Sequence, residues 1–418
     1  MQELMPYEQA IQIVLDNVKE TPVEEVFMLD ALGRPVAEDL TSDIEINAFD
    51  DASMDGFALI ASDVADASED NPISLKIVDV IGAGYLYKGV LKSGEAVRIM
   101  TGAAMPDGAD ANAKLEDIEV TGEGLVGDTV IFKAPLASGE NVRKAGEEAH
   151  VGDVVFKKGD VVNPAGVGLL ASTGNCRVKV HKKPRVAVMS IGTELVDSTQ
   201  VPPKGCKRDS NRYTMAAMAI DAGAEATLYP IVADDPKAIA EAYKKAVKDN
   251  DIVVSSGGAC GGDFDFITQV LGELGEVKFE FINMKPGKAQ TFSVAKDGTL
   301  MFGLSGNPAA SATGFEILIR PAIRKAMGFR DYFRPKVKAT LTEDAKTKGL
   351  RRNFLRGSLK TDENGAYVAT PLAHQSSALI GTTSHSNCFI DIPAGGVKKF
   401  AGDEVDCIRI DVSEGTVM

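Results

Sequence analysis

The sequence predicts a multidomain protein of α/β plus β class, and three changes of pattern along its 418 residues carry that reading. From about residue 23 to 180 the chain is rich in Val, Ile and Gly, with DG, SG and GD turn pairs at short intervals. That is a mostly β region. From about 185 to 330 strand-like runs alternate with helical patterns, which implies a parallel sheet with crossover helices. From about 331 short strands and turns return as a small all-β tail. The length exceeds one core, so roughly two to four domains are expected.

The elements follow in order. In PYEQAIQIVLDNVK (6–19), Ala10, Ile11, Val14, Leu15 and Val18 fall on one helical face, behind a proline at the first helical position. RVAVMSIG (185–192) is a buried-strand run. NRYTMAAMAIDAG sets Met215, Met218, Ala219 and Ala222 at helical spacing and stops at Gly223. ATLYPIVADD is the next strand. Asp235 as cap and Pro236 at the first position open a helix with the stripe Ile239, Tyr243, Ala246 and Val247. DIVVSSGG, FDFITQVLGELG and VKFEFINM continue as strand, helix from about Phe264, and strand. GLSGNP leads into the long helix AASATGFEILIRPAIRKAMG.

Composition excludes several classes. Hydrophobic residues make up 44% and charged residues 25%, as in soluble globular proteins. No apolar run approaches the roughly 20 residues that span a bilayer, so no membrane partner is expected. MQELMPYEQA lacks the features of a signal peptide, and a cytoplasmic protein is expected. Sixty acids against 45 bases give a formal charge of −15, which argues against nucleic-acid binding. KVHKKPR (179–185) and KGLRRNFLR (348–356) are local basic clusters, read first as solvated loops or strand edges. The cysteines (176, 206, 260, 388 and 407) are scattered, with no C-x-x-C pair, and the four histidines are dispersed. Neither a disulfide framework, a structural zinc site nor a histidine metal cluster fits.

The densest chemical signal is VVSSGGACGGDFDF (253–266). Val253 and Val254 end a central strand, and open α/β sheets bind ligands beyond the carboxyl ends of their strands. After Ser256, glycines 257, 258, 261 and 262 would let backbone N–H groups approach an anion. Asp263 and Asp265 would repel a bare phosphate but suit a divalent cation set between them and the anion. A glycine-rich turn with an aspartate cap reads the same residues equally well. SIGTEL (190–195), DSNR (209–212), MKPGK (284–288) and GLSGNP (303–308) are predicted at the same sheet edge. Lys285 and Lys288 would contact phosphates there, and Glu194 and Asp209 would join a cation site. The β region adds FDDASMDGFA (49–58), VRIMTGAAMPDGAD (97–110) and NVRKAGEE (141–148), each also readable as hairpin turn chemistry.

Together these motifs resemble the molybdopterin molybdenumtransferase family, of the MoeA and gephyrin E-domain type. The residues that carry it are DDASMDGFA, RIMTGA, VRKAGEE, SIGTEL, DSNR, SSGGACGGDFD, MKPGK, GLSGNP and FLRGSL, in the family's order over nearly the whole chain. The resemblance implies an L-shaped, four-domain homodimer. Residues 1–22 with 181–330 would form a molybdopterin-binding α/β domain of MogA-like fold. Residues 23–44 with 145–180 would form a β-rich linker and dimer domain, 45–144 a β-rich domain with the MDG and TGA loops, and 331–418 a small β-barrel.

It also implies a reaction. Adenylylated molybdopterin and molybdate are the substrates; molybdenum enters the dithiolene, the phosphoanhydride is cleaved and AMP leaves, with Mg²⁺ assisting. Asp55 and Thr101 from one subunit would face the α/β pocket of the other, and Glu148 is a further catalytic candidate. Asp265, with Glu194 and Asp263, would hold the metal. Asp209, Asn211, Ser256, Gly257, Gly258, Cys260, Gly261, Ser305, Gly306, Asn307 and Pro308 would contact the substrate. Lys285 and Lys288 would bind phosphate or molybdate, and Arg352 and Arg356 would extend the anion site. Enzymes of the same pathway and acceptor apo-enzymes are the implied protein partners.

The chain departs from the family pattern at four places, one of them the T-G-D/S-E pattern, which becomes Ile191-Gly192-Thr193-Glu194 and keeps the glutamate. Cys260 replaces a serine and is the poorer hydrogen-bond donor. Ser305 replaces a proline, which frees a fixed φ. Glu148 replaces an aspartate. These leave open a divergent paralogue that binds pterin or nucleotide as a scaffold, or one that takes tungstate or a nucleotide pyrophosphate. An adenylyltransferase on the α/β domain alone would need neither the β region nor the tail.

Overall fold

The computed structural model describes residues 4–258, 266–347 and 349–416. Helix α1 (Tyr7–Asp16) buries the predicted face, Ala10, Ile11, Val14 and Leu15. That face packs far along the chain, in one core with Val186, Ile252, Ile323 and Met327. Strand β1 (Val23–Phe27) then leaves this core.

The β region contains β2 (Gly56–Leu59), β3 (Ile73–Ile81), β4 (Glu95–Ile99), β5 (Ala111–Lys114), β6 (Glu119–Val120) and β7 (Thr129–Phe132). They form one sheet in the order β5-β2-β4-β3-β7-β6, over a core that includes Phe57, Leu75, Ile77 and Phe132. Helix α2 (Pro164–Ser172) is capped by Asn163, whose side chain accepts from Gly166 N. Strand β8 (Arg177–His181) pairs antiparallel with β1, from Val23↔His181 to Phe27↔Arg177. The chain therefore leaves and rejoins the α/β layer at one place. The β region is an excursion between α1 and the layer that α1 covers.

The α/β layer runs β9 (Arg185–Ser190), β10 (Leu195–Val196), β11 (Lys207–Arg208), α3 (Asn211–Asp221), β12 (Glu225–Leu228), α4 (Pro236–Asp249), β13 (Ile252–Ser256), α5 (Phe266–Leu274), β14 (Gly275–Phe281), β15 (Ala289–Ala295) and β16 (Leu300–Leu304). The sheet order is β12-β9-β13-β16-β15-β14. The first four strands are parallel, as expected. β15 alone runs against the others, antiparallel to both β16 and β14, a correction to the all-parallel reading. The reason is connection length: β15 turns into β16 through residues 296–299, with Gly298 at φ +98°, too short for a crossover helix. Helix α6 (Pro308–Gly314) passes through a π-turn (Phe315–Ile319) into α7 (Arg320–Ala326), so the predicted long helix is continuous but locally widened.

The tail closes as a barrel. β17 (Lys336–Leu341), β18 (Arg352–Thr361), β19 (Tyr367–Pro371), β20 (Cys388–Ile392) and β21 (Glu404–Arg409) pair in the order β18-β19-β17-β21-β20 and back to β18. Closure removes the sheet edges. Among the described residues no helix is long and apolar enough to cross a membrane.

The end of the chain is fastened by charge. The Glu414 side chain, only 1% exposed, accepts from Arg320 Nε at 2.5 Å and lies 3.2 Å from Arg324 Nη2. Arg334 reaches Glu316 at 2.7 Å, and Arg320 reaches Asp221 at 2.6 Å. Burial alone would raise the Glu414 carboxyl, but the two arginines outweigh it and hold it below the usual range. Its stabilising effect is therefore complete above the ordinary glutamate pKa and fades as pH falls through the lowered folded value. Removing one partner of a buried ion pair strands the others, so Glu414→Gln is expected to cost about 3–5 kcal/mol. Urea unfolding of the full chain at neutral pH measures this, and the deficit of the variant should shrink in acid.

Candidate active site

The carboxyl ends of β9, β13 and β16 open onto a cavity of about 640 Å³. Three close approaches build it. Gly257 stands at φ +94°, and a Cβ there would lie 2.0 Å from Ile191 O. Its N–H donates to Leu304 O at 3.1 Å, while Ile191 N–H donates to Ser256 O at 2.8 Å. Gly306 packs so closely that its Cβ would stand 3.3 Å from Gly257 Cα. Only glycine satisfies both the backbone angle and the space at 257.

Asn211 ties two of the loops together. Its Nδ2 donates to Ser256 Oγ at 2.8 Å and to Gly306 O at 2.9 Å. It begins α3, whose N-terminal end, with Ser210, lines the cavity. A helix N-terminus favours an anion there. Asn307, Pro308 and Ser305 line the opposite wall. Ala309 N–H donates to Ser377 O at 2.9 Å, which brings a barrel loop to the rim.

Of the residues predicted from sequence, Glu194, Asp209, Asn211, Ser256, Gly257, Gly258, Lys288, Ser305, Gly306, Asn307 and Pro308 line this cavity. Their present contacts differ in kind. Asp209 is 3% exposed, accepts from Ser190 Oγ at 2.8 Å and lies 3.1 Å from Arg212 Nε, so it braces the floor. Glu194 pairs with Lys207 at 3.1 Å. Lys288 Nζ lies 4.9 Å from the centre of the Phe281 ring. Cys260, Gly261, Asp263 and Asp265 lie outside the described residues.

Other predicted residues are elsewhere. Lys285 does not line the cavity; it pairs as a short strand with β18, opposite Asn353. Arg352 does not face the cavity either. It is held by Asp391 at 2.7 Å and by Glu8, so it joins α1 to the barrel. Arg356 is 1% exposed and donates to Ser376 O at 3.0 Å and His374 O at 3.4 Å. It thus holds the loop that carries Ser377, and no carboxylate among the described residues pairs with it. Burial lowers its pKa. Glu148 is exposed in the β region.

Asp55 and Thr101 meet each other but not the cavity. Asp55 Oδ1 accepts from Thr101 N–H at 2.8 Å and from the Thr101 hydroxyl at 2.7 Å. These two bonds, the N–H first, hold the Asp55 carboxyl below its ordinary range.

Sequence reasoning missed Lys207, Arg208, Asp234, Phe281 and Ser377, all of which line the cavity. The signal was present for two of them: Lys207 and Arg208 directly precede DSNR, which had been placed at this edge. Ser377 carries no local signal, because only the docking of the barrel brings it there.

Glu194 is paired, Asp209 is bonded and Asp234 accepts from Thr193 N–H at 3.0 Å. No group of three metal-ligating side chains occurs among the described residues. The described acids alone therefore do not fit a Mg²⁺ site. What they frame is a polar, cation-lined cavity suited to a phosphorylated ligand.

Comparison with known proteins decides the family. Residues 5–174 match the MoeA N-terminal region (domain I and II), 187–325 a probable molybdopterin binding domain, and 338–410 the MoeA C-terminal region (domain IV). The molybdopterin molybdenumtransferase of Staphylococcus aureus (strain Mu50) is 37% identical over 406 residues, 97% of this chain and 95% of that protein. That of Bacillus subtilis is 35% identical over 416 residues, 99% of this chain and 95% of that protein. The chain belongs to the MoeA family. The molybdopterin biosynthesis MoeA protein of Pyrococcus horikoshii superposes with a TM-score of 0.84 at 33% identity, over 98% of this chain and 100% of that one. The match to the MoeA family extends through both β regions and the α/β layer. A stand-alone adenylyltransferase would need neither β region.

The crowding at Gly257 makes a direct prediction. Gly257→Ala must part β13 from Ile191, with a cost of at least ~2 kcal/mol from clash and backbone strain. Gly33→Ala, also at positive φ but with open space around it, should cost only about 1 kcal/mol. Thermal unfolding of both variants separates the two effects.

Proposed function

We propose that this chain is a molybdopterin molybdenumtransferase that takes adenylylated molybdopterin and molybdate and releases AMP. The observation that supports it most is the cavity at the strand ends. Backbone turns without side chains, a helix N-terminus and three basic side chains meet there, as a phosphoanhydride and its flanking groups require. Water adds across the phosphoanhydride, so that AMP leaves as a monoester. Molybdate, the second substrate, gives up one oxide as water, which takes the two thiol protons, as molybdenum bonds to the two dithiolene sulfurs. Lys288 and Arg208 would neutralise the phosphates. Asn211 fixes the two loops between which they sit. The Arg356 guanidinium, with no carboxylate paired to it among the described residues, makes the barrel loop the better candidate for the oxyanion. Arg352, already neutralised by Asp391 and Glu8, is the weaker one.

The working form in this reading is a homodimer. Asp55 and Thr101 do not line the cavity of their own chain. Val23, Phe27, Leu29 and Leu32 expose apolar side chains around the β1–β8 pair, with Leu29 61% exposed. A second copy would cover that surface and bring its Asp55–Thr101 pair to the cavity of the first. In that position Asp55, held ionised by Thr101, accepts a hydrogen bond or a proton and does not donate one.

Incubation with adenylylated molybdopterin and molybdate, followed by AMP release and molybdenum retention, tests the reaction. Oxyanion-dependent AMP release is expected; its absence refutes the reading. Asp55→Ala and Lys288→Ala should each be inactive as homodimers. Mixed, unfolded and refolded together, they should recover roughly a quarter of wild-type activity, because half the dimers are mixed and each mixed dimer holds one intact site. No recovery means that the site is not shared. The pH profile adds a check. Activity that needs the Asp55 carboxylate should persist into acid, below the ordinary aspartate range. In Thr101→Val, which loses the hydroxyl bond, the acid limb should move to higher pH.

A further inference from the structure

Lys207 and Glu194 sit together on the cavity wall in a way the reaction above does not use. The register of β10 with β11 sets Leu195 against Lys207, and Lys207 N–H donates to Glu194 O at 2.9 Å. The side chains of Lys207, on β11, and Glu194, in the turn before β10, pair at 3.1 Å, with exposures of 65% and 42%. Such an exposed pair is weak, because solvent screens it and both side chains lose freedom in making it. A phosphate dianion entering the cavity offers the ammonium more charge than Glu194 does.

The other cations of the wall are less able to move. Arg208 Nε donates to Gln200 O at 2.8 Å, and Lys288 lies against the Phe281 ring. Lys207 makes no ion pair other than the one with Glu194 among the described residues. The arm that carries it is pinned at its root. Asp197 Oδ2 accepts from Arg212 Nη2 and from the Tyr213 hydroxyl, both at 2.9 Å. Its Oδ1 accepts from Thr199 N–H and hydroxyl. The strands can stay in place while the lysine stem swings.

We propose that Lys207 is an exchangeable phosphate ligand, which leaves Glu194 for the phosphate of the bound nucleotide. Glu194 acts in the empty cavity as its keeper and sets how tightly a nucleotide monoester binds. The proposal rests on the reading that the cavity takes a nucleotide-linked phosphate.

Calorimetric titration of the full-length protein with AMP, and separately with inorganic pyrophosphate, tests it. Lys207→Gln should weaken AMP binding about tenfold, the scale of one charge-assisted phosphate contact. Glu194→Gln should tighten it about three- to tenfold by freeing the lysine. The decisive comparison is the double variant. If Glu194 acts through Lys207, the gain from Glu194→Gln largely disappears in the Lys207→Gln background. An equal gain in both backgrounds would mean a simple field effect and overturns the exchange. Unchanged AMP affinity in Lys207→Gln overturns it as well, while leaving the reaction standing. Lys207-dependent binding of pyrophosphate without any binding of AMP keeps the exchange and overturns the nucleotide reading. If wild type binds neither, both fall. Both side chains are exposed, so the variants should keep the wild-type unfolding temperature.

Discussion

The contact between Gly257 and Ile191 O is the constraint on which the rest of the site depends. Two parallel strands normally diverge into separate loops at their carboxyl ends. Here a residue without a side chain lets the turn after β13 lean back against the turn after β9. Gly306 then closes in on Gly257 from the third strand. Three loops become one wall, and Asn211 can reach two of them from a single side chain. The buried polar groups this creates partner one another: Ser256 Oγ and Gly306 O accept from Asn211, and Asp209 Oδ1 accepts from Ser190 Oγ and Arg212 N–H, with Arg212 Nε 3.1 Å from Asp209 Oδ2. An apolar substitute at any of these would strand a partner, which costs more than the bond itself contributes.

Charge does the second half of the assembly, and it sorts the arginines by role. Arg320, Arg324 and Arg334 are matched by Glu316, Glu414 and Asp221, so they serve to fasten the last turn of the chain to α7. Arg352 is matched by Asp391 and Glu8, with Tyr7 and Phe354 under its guanidinium; it sets the barrel against α1. Arg356 alone among these is buried with no carboxylate paired to it among the described residues, bonded instead to carbonyls of the loop beside the cavity. Taken from water, a cation gains by keeping an anion within reach. An unmatched buried guanidinium next to a proposed oxyanion site is therefore consistent with the chemistry, where the matched ones are consistent with structure.

Much of this was legible in the sequence where a local rule governs. The α1 stripe, the Asp235–Pro236 helix start and the strand run before Gly257 rest on periodicity and capping, and each forms within a few residues of its expected place. The reversal of β15 was missed because VKFEFINM and the strands after it show strand character without direction. Only the short turn at Gly298 decides the direction. Lys285, Arg352 and Ser377 illustrate the harder limit. Their motifs or neighbours are at the right sheet edge, but whether a side chain faces the cavity depends on how the barrel docks. That is a long-range fact without a local signature. Asp55 and Thr101 sit in turn motifs that sequence alone reads as hairpin chemistry, and their hydrogen-bonded pairing appears only in three dimensions.

The departures from the family pattern can now be weighed physically. Ser305 stands where a proline would fix φ, and the loss would be expected to loosen the loop before α6. Three contacts act against that. Gly306 O is held by Asn211, Ala309 N–H is held by Ser377 O, and Gly306 is packed onto Gly257. Each restrains a backbone atom within four residues of the missing proline. A ring that fixes one torsion in the unfolded as well as the folded chain contributes about 0.4–1 kcal/mol, and a single satisfied buried hydrogen bond is worth about as much. The loop geometry therefore does not depend on the proline, and the serine leaves a hydroxyl at the cavity wall where the ring would have had none. Its Oγ already lies 3.5 Å from Asn307 N, close enough to turn toward an incoming oxyanion. On this argument the substitution changes the hydrogen-bonding of the site more than its shape.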